Sequence, residues 1–73
     1  MTYREKEVLE FIIQFKTINQ YSPTIREIAD GIHTASLTCV KNILERLREK
    51  GFIKFEENKP RTIVVTRFKD IVV

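Results

Sequence analysis

Apolar residues recur with helical spacing in three stretches of this chain, and the longest is residues 36–51. One side of the helix predicted there is apolar, and the opposite side is polar or charged. The apolar positions are Val40, Ile43, Leu44 and Leu47, and the polar positions are Thr38, Asn42, Glu45 and Glu49. Ser36 is suited to cap the start of this helix and Gly51 to end it. We therefore predict a helix over 37–50 with one face on a core.

A first helix is predicted at the amino terminus. Thr2 and Glu5 have the spacing of a capping box, in which each side chain accepts a hydrogen bond from the other residue's backbone amide. Apolar residues then recur at helical spacing, which predicts a helix to about Asn19. They are Val8, Leu9, Phe11, Ile12 and Phe15.

A second, short helix follows a proline. Pro23 disfavours helix at the residue before it, and Thr24 with Glu27 repeats the capping box. The helix that begins there is only about two turns long, and residues 31–35 form a tight connection to the long helix. Two helices joined by a short turn, the second with a polar outer face, are typical of a helix-turn-helix.

After Gly51 the period of the apolar residues changes to two. This predicts a strand at 52–55, a polar turn at 56–61 and a returning strand at 62–66, packed on the helices through Ile53, Ile63 and Val65. Lys59 and Arg61 are predicted to project from the turn. The fold class is therefore mainly α with a small β-hairpin, a winged helix-turn-helix of three helices and a two-stranded wing. We call the hairpin the wing and residues 56–61 the wing tip.

Charge and composition narrow the function classes. The 73 residues allow one domain, over 1–66, and leave little room for a deep active site. The net charge is +3, with four basic and five acidic residues in 1–36 against nine basic and five acidic in 37–73. A basic half suits a polyanion such as nucleic acid. The single Cys39 allows neither an intramolecular disulfide nor a thiolate cluster, and short apolar runs exclude a membrane span or secretory signal. We expect a cytoplasmic protein without a cofactor.

Several segments, in order along the chain, resemble one known family. They are 7–9 with Phe11 and Ile12, 21–28, Ala35 and Ser36 with Leu44 and Leu47, 50–53, and 59–63. Over about 2–65, without a gap, the chain resembles the amino-terminal domain of LexA-type repressors. The resemblance implies a winged helix-turn-helix that binds operator DNA, with the long helix in the major groove and the wing tip on the backbone. It also implies a transcription regulator of bacterial or phage type that acts at the nucleoid as a repressor.

The chain departs from this family in three respects. His33 stands in the turn where glycine is usual, so a residue less suited to a left-handed conformation must make the bend. The start of the long helix differs at positions 37–39, 41 and 42, which leaves the operator sequence open. LexA-type repressors continue into a self-cleaving peptidase domain with a Ser-Lys dyad. The 73 residues contain nothing of that domain, so induction by self-cleavage is not implied.

Candidate DNA contacts follow from groove chemistry. Asn can bond adenine, Lys can donate to guanine, Ser and Thr can bond bases or phosphates, and apolar groups can meet a thymine methyl. Outward-facing Glu45 and Glu49 would repel phosphates, so only the first two turns of the helix are expected in the groove. The predicted base contacts are Ser36, Leu37, Thr38, Cys39, Lys41 and Asn42, and the predicted phosphate contacts are Arg26, Arg48, Lys50, Lys59 and Arg61.

The alternative is a winged-helix module for protein interaction or dimerisation without specific DNA binding. The tail, residues 67–73, is apolar, and we expect it to contact either this chain or a partner. The preferred interpretation is a repressor that binds double-stranded DNA as a homodimer. An enzyme is not expected, because Cys39 and His33 are accompanied by neither a glycine-rich loop nor a metal cluster, and no small-molecule substrate is expected either.

Overall fold

The computed structural model describes residues 2–57 and 59–66. The elements are α1 (Tyr3–Asn19), α2 (Ile25–Gly31), α3 (Leu37–Glu49), β1 (Ile53–Lys54) and β2 (Val64–Val65). The two strands are antiparallel, with Ile53 opposite Val65 and Lys54 opposite Val64. This order confirms the fold class predicted from the sequence. The predicted tail at 67–73 lies outside the described residues, as does Asn58 in the wing tip.

All three predicted helix starts are confirmed by their caps. The Thr2 hydroxyl accepts from the Glu5 amide at 3.2 Å, and the Glu5 carboxylate accepts from the Thr2 amide at 3.1 Å. Thr24 and Glu27 make the same reciprocal pair at 3.1 and 2.8 Å. The Ser36 hydroxyl accepts from the Cys39 amide at 3.1 Å. Each cap satisfies amides that the first helical turn leaves without a partner. The capping residues recognised in the sequence are therefore the physical reason why each helix begins where it does.

The helix ends depend on left-handed residues. Helix α3 ends at Glu49, one residue before the predicted end, and Gly51 has φ 82°. The Gly51 amide donates to the Arg48 carbonyl and the Phe52 amide to the Leu47 carbonyl, both at 3.0 Å, which is the Schellman pattern. His33 has φ 60°, which confirms that a non-glycine residue makes the bend between α2 and α3.

A single apolar core joins the helices to the wing. It is formed by residues from α1, α2, α3 and both arms of the wing. Its buried members are Val8, Leu9, Ile12, Ile28, Ala29, Ile32, Val40, Ile43, Leu44, Leu47, Ile53 and Ile63. Because Ile53 and Ile63 are buried and Val65 is partly buried against the core, the predicted wing anchors are confirmed.

Both strands are shorter than the predicted 52–55 and 62–66. The Ile63 carbonyl points away from β1 and accepts from the Ser22 hydroxyl at 2.5 Å and from Lys16 Nζ at 3.4 Å. The Thr62 hydroxyl accepts from the Glu56 amide at 2.9 Å and donates to the Lys59 carbonyl at 3.1 Å. Side chains therefore replace ladder bonds next to the wing tip.

None of the helices in the described ranges is long and apolar enough to cross a membrane.

Candidate nucleic-acid interface

The amino-terminal half of α3 presents most of the predicted base contacts to solvent. Ser36, Thr38, Lys41 and Asn42 are exposed, and Leu37 is 41% exposed at the first helical position. We call this surface, residues 36–38, 41 and 42, the outer face. It exists because Val40, Ile43 and Leu44 turn the opposite side of the helix into the core.

Cys39 does not belong to the outer face. Its side chain is half-buried and packs against the core, although its amide donates to the Ser36 hydroxyl. The Ser36 hydroxyl is in turn occupied as a helix cap. Ser36 and Cys39, two of the predicted base contacts, therefore also have structural roles. The side chains of Thr38, Lys41 and Asn42 make no hydrogen bond within residues 2–57 and 59–66.

A groove of about 410 Å³ runs between the start of α2, the outer part of α3 and the wing. Its apolar floor includes Leu44, Phe55 and Ile63. Basic and acidic side chains both line it. The basic ones are Arg26, Lys41, Lys59 and Arg61, and the acidic ones are Glu45, Glu56 and Glu57. The groove thus brings together residues from positions 23–63. Basic side chains line it on α2, on α3 and on the wing tip.

Three of these cations are available to an external anion. Arg26 and Lys41 are exposed and have no ion pair within the described part of the chain. Lys59 Nζ lies 3.2 Å from Glu56 Oε2, but both side chains are largely exposed, at 70% and 64%. Ion pairs this exposed contribute little, so a phosphate can replace Glu56 at low cost. Of the predicted phosphate contacts, Arg26 and Lys59 are thus accessible, and their role in binding phosphate stays a prediction.

Arg61 does not project from the wing tip as predicted. Its Nη1 donates to the Ser22 carbonyl at 3.0 Å and to Glu27 Oε1 at 3.1 Å, and its Nη2 donates to Glu27 Oε2 at 3.4 Å. Its Cζ lies 4.6 Å from the centroid of the Tyr21 ring. We call Tyr21, Ser22, Glu27 and Arg61 the Arg61 cluster. The expectation was wrong because stacking and a forked ion pair draw the long side chain back onto the body.

The cluster also affects the Glu27 carboxyl group. The pKa of Glu27 is lowered from its ordinary value, first by the hydrogen bond from the Thr24 backbone amide and then by the Arg61 guanidinium. The ionised form therefore persists, and Glu27 serves both the cap of α2 and the ion pair with Arg61.

Arg48 and Lys50 are likewise engaged within the chain. Arg48 Nη2 lies 3.2 Å from Glu57 Oε1, and the guanidinium stacks on the Phe55 ring with Cζ 4.3 Å from the centroid. Lys50 Nζ lies 2.6 Å from Glu5 Oε1, whose side chain is 1% exposed. Both residues thus tie α3 to other elements, and the structure places neither among the cations around the groove.

Sequence patterns did not identify the partners of these basic residues. Arg48, Arg61 and Lys50 bind carboxylates that lie 9, 34 and 45 residues away along the chain. Helical periodicity and capping signals act over about four residues, so they carry no information about such pairs. The described residues contain no group of His, Cys, Asp and Glu that could hold a metal ion.

Comparison with known proteins agrees with this geometry. The family model for the LexA DNA binding domain matches residues 1–62. The LexA repressor of Carboxydothermus hydrogenoformans is 36% identical over 63 residues, which are 86% of this chain and 31% of that protein. The LexA repressor of Desulforamulus reducens is 39% identical over 62 residues, 85% of this chain and 29% of that protein. The LexA repressor of Staphylococcus aureus is 37% identical over 65 residues, 89% of this chain and 31% of that protein.

The chain spans somewhat less than a third of the length of these curated relatives. Residues 1–62, which the family model matches, include the three helices and β1. The resemblance found in the sequence is therefore confirmed by the family model and by the relatives. On this evidence the chain belongs to the LexA DNA-binding domain family.

Proposed function

We propose that this chain binds a specific double-stranded DNA sequence as the DNA-binding part of a transcriptional repressor. The observation that carries the proposal is the exposed outer face of α3 next to a groove bordered by Arg26 and Lys41, which are unpaired among the described residues, and by Lys59, whose ion pair with Glu56 is exposed. The major groove of B-DNA admits one α-helix and displays a distinct pattern for each base pair. A repressor of this kind acts in the bacterial cytoplasm, at the nucleoid.

The outer face supplies the base contacts in this proposal. Asn42 is suited to bond adenine through N6 and N7, and Lys41 to donate to guanine N7 or O6. Thr38 and Ser36 add hydroxyl groups, and the Ser36 hydroxyl, which accepts the cap bond from the Cys39 amide, still has its hydrogen to donate to a phosphate or a base. Leu37 is exposed at 41% and meets a thymine methyl more readily than the half-buried Cys39 does.

The proposed contacts to the DNA backbone follow from which cations are available to a phosphate. Arg26 on α2 and Lys59 on the wing tip lie on either side of the groove, so we assign them to phosphates. Arg48, Lys50 and Arg61 are engaged by Glu57, Glu5 and Glu27, and their phosphate roles are not carried into the proposal. Glu45, exposed in the groove, marks the end of the part of α3 that approaches DNA.

We further propose that two copies act together on DNA. Five exposed side chains can discriminate only a few base pairs, and each mismatched pair costs roughly 1–3 kcal/mol, which is too little to single out one site in a genome. A homodimer doubles the number of base pairs that are recognised. Its half-sites would be inverted and spaced by about one helical turn or a multiple of it.

Selection from a random duplex pool at near-physiological salt tests the proposal. We expect an enriched, inverted motif whose binding weakens steeply as salt rises. Asn42→Ala should relax the preference at one base pair in each half-site, whereas Lys59→Ala should weaken all sequences and reduce the salt slope by about 1. Glu10→Ala, an exposed change on α1, serves as the matched control. A pool with no enriched motif would favour the alternative, a protein-interaction module.

A further inference from the structure

Arg61 contacts two segments outside the wing, the loop before α2 and the first turn of α2. Its guanidinium lies on the Tyr21 ring, bonds the Ser22 carbonyl in the loop before α2, and forms a forked pair with Glu27 in the first turn of α2. Arg61 itself belongs to the wing tip. The Arg61 cluster therefore connects the wing tip directly to the helix-turn-helix, 34 residues away along the chain.

The backbone at Arg61 supports a specific role. Its φ is 61°, a left-handed conformation that glycine adopts freely and that costs other residues free energy. Such a residue persists where its surroundings compensate for the cost, and left-handed residues of this kind cluster at functional sites. Here the compensation is visible, because the side chain makes three hydrogen bonds and one stacking contact.

The wing depends on contacts of this kind for its orientation. Its ladder contains only two residues in each strand, and a hairpin this short is marginally stable by itself. Ile53 and Ile63 anchor its base in the core, and the Ile63 carbonyl accepts from Ser22 and Lys16. Beyond that base, and among the described residues, the wing tip is joined to α2 by the ion pair of Arg61 with Glu27. Arg61 also bonds the Ser22 carbonyl just before α2.

We propose that Arg61 is a positioning residue, which fixes the wing tip against α2 so that Lys59 and Arg26 stand at the spacing that the DNA backbone requires. This inference rests on the proposed function. Glu27 neutralises the Arg61 charge, and Glu27 directly follows Arg26 in the chain. Holding Glu27 therefore sets the distance from the wing tip to Arg26, one of the phosphate-binding cations.

A charge-conserving variant separates positioning from phosphate contact. Arg61→Lys keeps the positive charge but lacks the planar fork that bonds Ser22 and Glu27 while stacking on Tyr21. We expect Arg61→Lys to bind the selected duplex roughly tenfold more weakly, with an unchanged dependence of affinity on salt, as loss of about 1.4 kcal/mol would produce. Lys6→Arg, a charge-conserving change at an exposed residue of α1 outside the groove, is the matched control and should bind like the wild type. Thermal melts monitored by circular dichroism ensure that every variant is folded at the assay temperature.

A double-mutant comparison adds a second readout. Glu27→Gln keeps an acceptor for the Thr24 amide and hence the capping box, but it removes the charge that holds Arg61. In that background Arg61→Lys should change affinity by less than about threefold, because the interaction that it disrupts is already weakened. A purely structural role in stability would leave the affinity of the folded protein unchanged in both backgrounds.

Two results of the DNA-binding assays would overturn the inference. One is wild-type affinity for Arg61→Lys, and the other is a fall of about 1 in the salt slope for Arg61→Ala, which indicates a phosphate contact. Nuclear magnetic resonance of the free protein gives a test that needs no DNA. The Arg61 side-chain protons should be shifted upfield by the Tyr21 ring and should lose that shift in Tyr21→Leu. A wild-type spectrum without this upfield shift would also overturn the inference. Failure of the wild type to bind any duplex would instead contradict the proposed function.

Discussion

Glu5 couples the start of α1 to the end of α3, and its removal should make folding less stable in a pH-dependent way. Its carboxylate accepts from Lys50 Nζ at 2.6 and 3.2 Å and from the Thr2 amide at 3.1 Å, with the side chain 1% exposed. The hydrogen bond from Lys50, followed by that from Thr2, lowers the pKa of Glu5 from 4.5 to about 2. The charged carboxylate is therefore favoured by folding.

The size of the expected loss of stability follows from the decrease in the pKa of Glu5. A decrease in pKa of this size corresponds to roughly 3 kcal/mol of folding free energy at full strength, since one pH unit is about 1.4 kcal/mol. Lys50 is 46% exposed, so solvent screens the pair. We therefore expect Glu5→Gln to lower the free energy of unfolding by about 1–2 kcal/mol at pH 7. Glutamine still accepts from the Thr2 amide, so the capping box is retained.

Urea denaturation of the wild type and Glu5→Gln between pH 7 and pH 2 measures this effect. The stability from the ionised carboxylate is complete above the ordinary pKa of 4.5 and disappears as the pH falls towards the folded-state pKa of about 2. The two proteins should therefore converge over that range. Glu10→Gln, exposed on the same helix, should match the wild type throughout. A constant difference between wild type and Glu5→Gln from pH 7 to pH 2 would refute this assignment.

Two further predictions concern the backbone around the helix-turn-helix. Gly31→Ala should lower the free energy of unfolding by about 1–3 kcal/mol, because a Cβ there would overlap the Phe11 ring. Chemical denaturation should show this loss and its partial recovery in Gly31→Ala with Phe11→Leu; equal stability of Gly31→Ala and the wild type would contradict the contact. His33→Gly should raise stability by about 0.5–1 kcal/mol, because His33 has φ 60° and glycine adopts that conformation without strain. Ala35→Gly, where φ is not positive, should instead lower the melting temperature, and the same sign for both glycine variants would contradict the argument.

Local signals in the sequence were enough to predict the helices and the wing. Thr2, Thr24 and Ser36 cap amides three residues away, so the helix starts were predicted correctly. The 3.6-residue period separated the core side of α3 from its outer face, and the change to a period of two placed the wing. The candidate base contacts were likewise available from the sequence, because the direction of a helical side chain follows from its position in the turn.

Which of the basic side chains are accessible to an external anion could be seen only in the folded structure. Arg26, Arg48, Lys50, Lys59 and Arg61 are alike as sequence positions, yet three of them are held by carboxylates or rings brought near by folding. Such pairings depend on how the core packs the elements together, and that arrangement of distant residues is the part a local pattern does not encode.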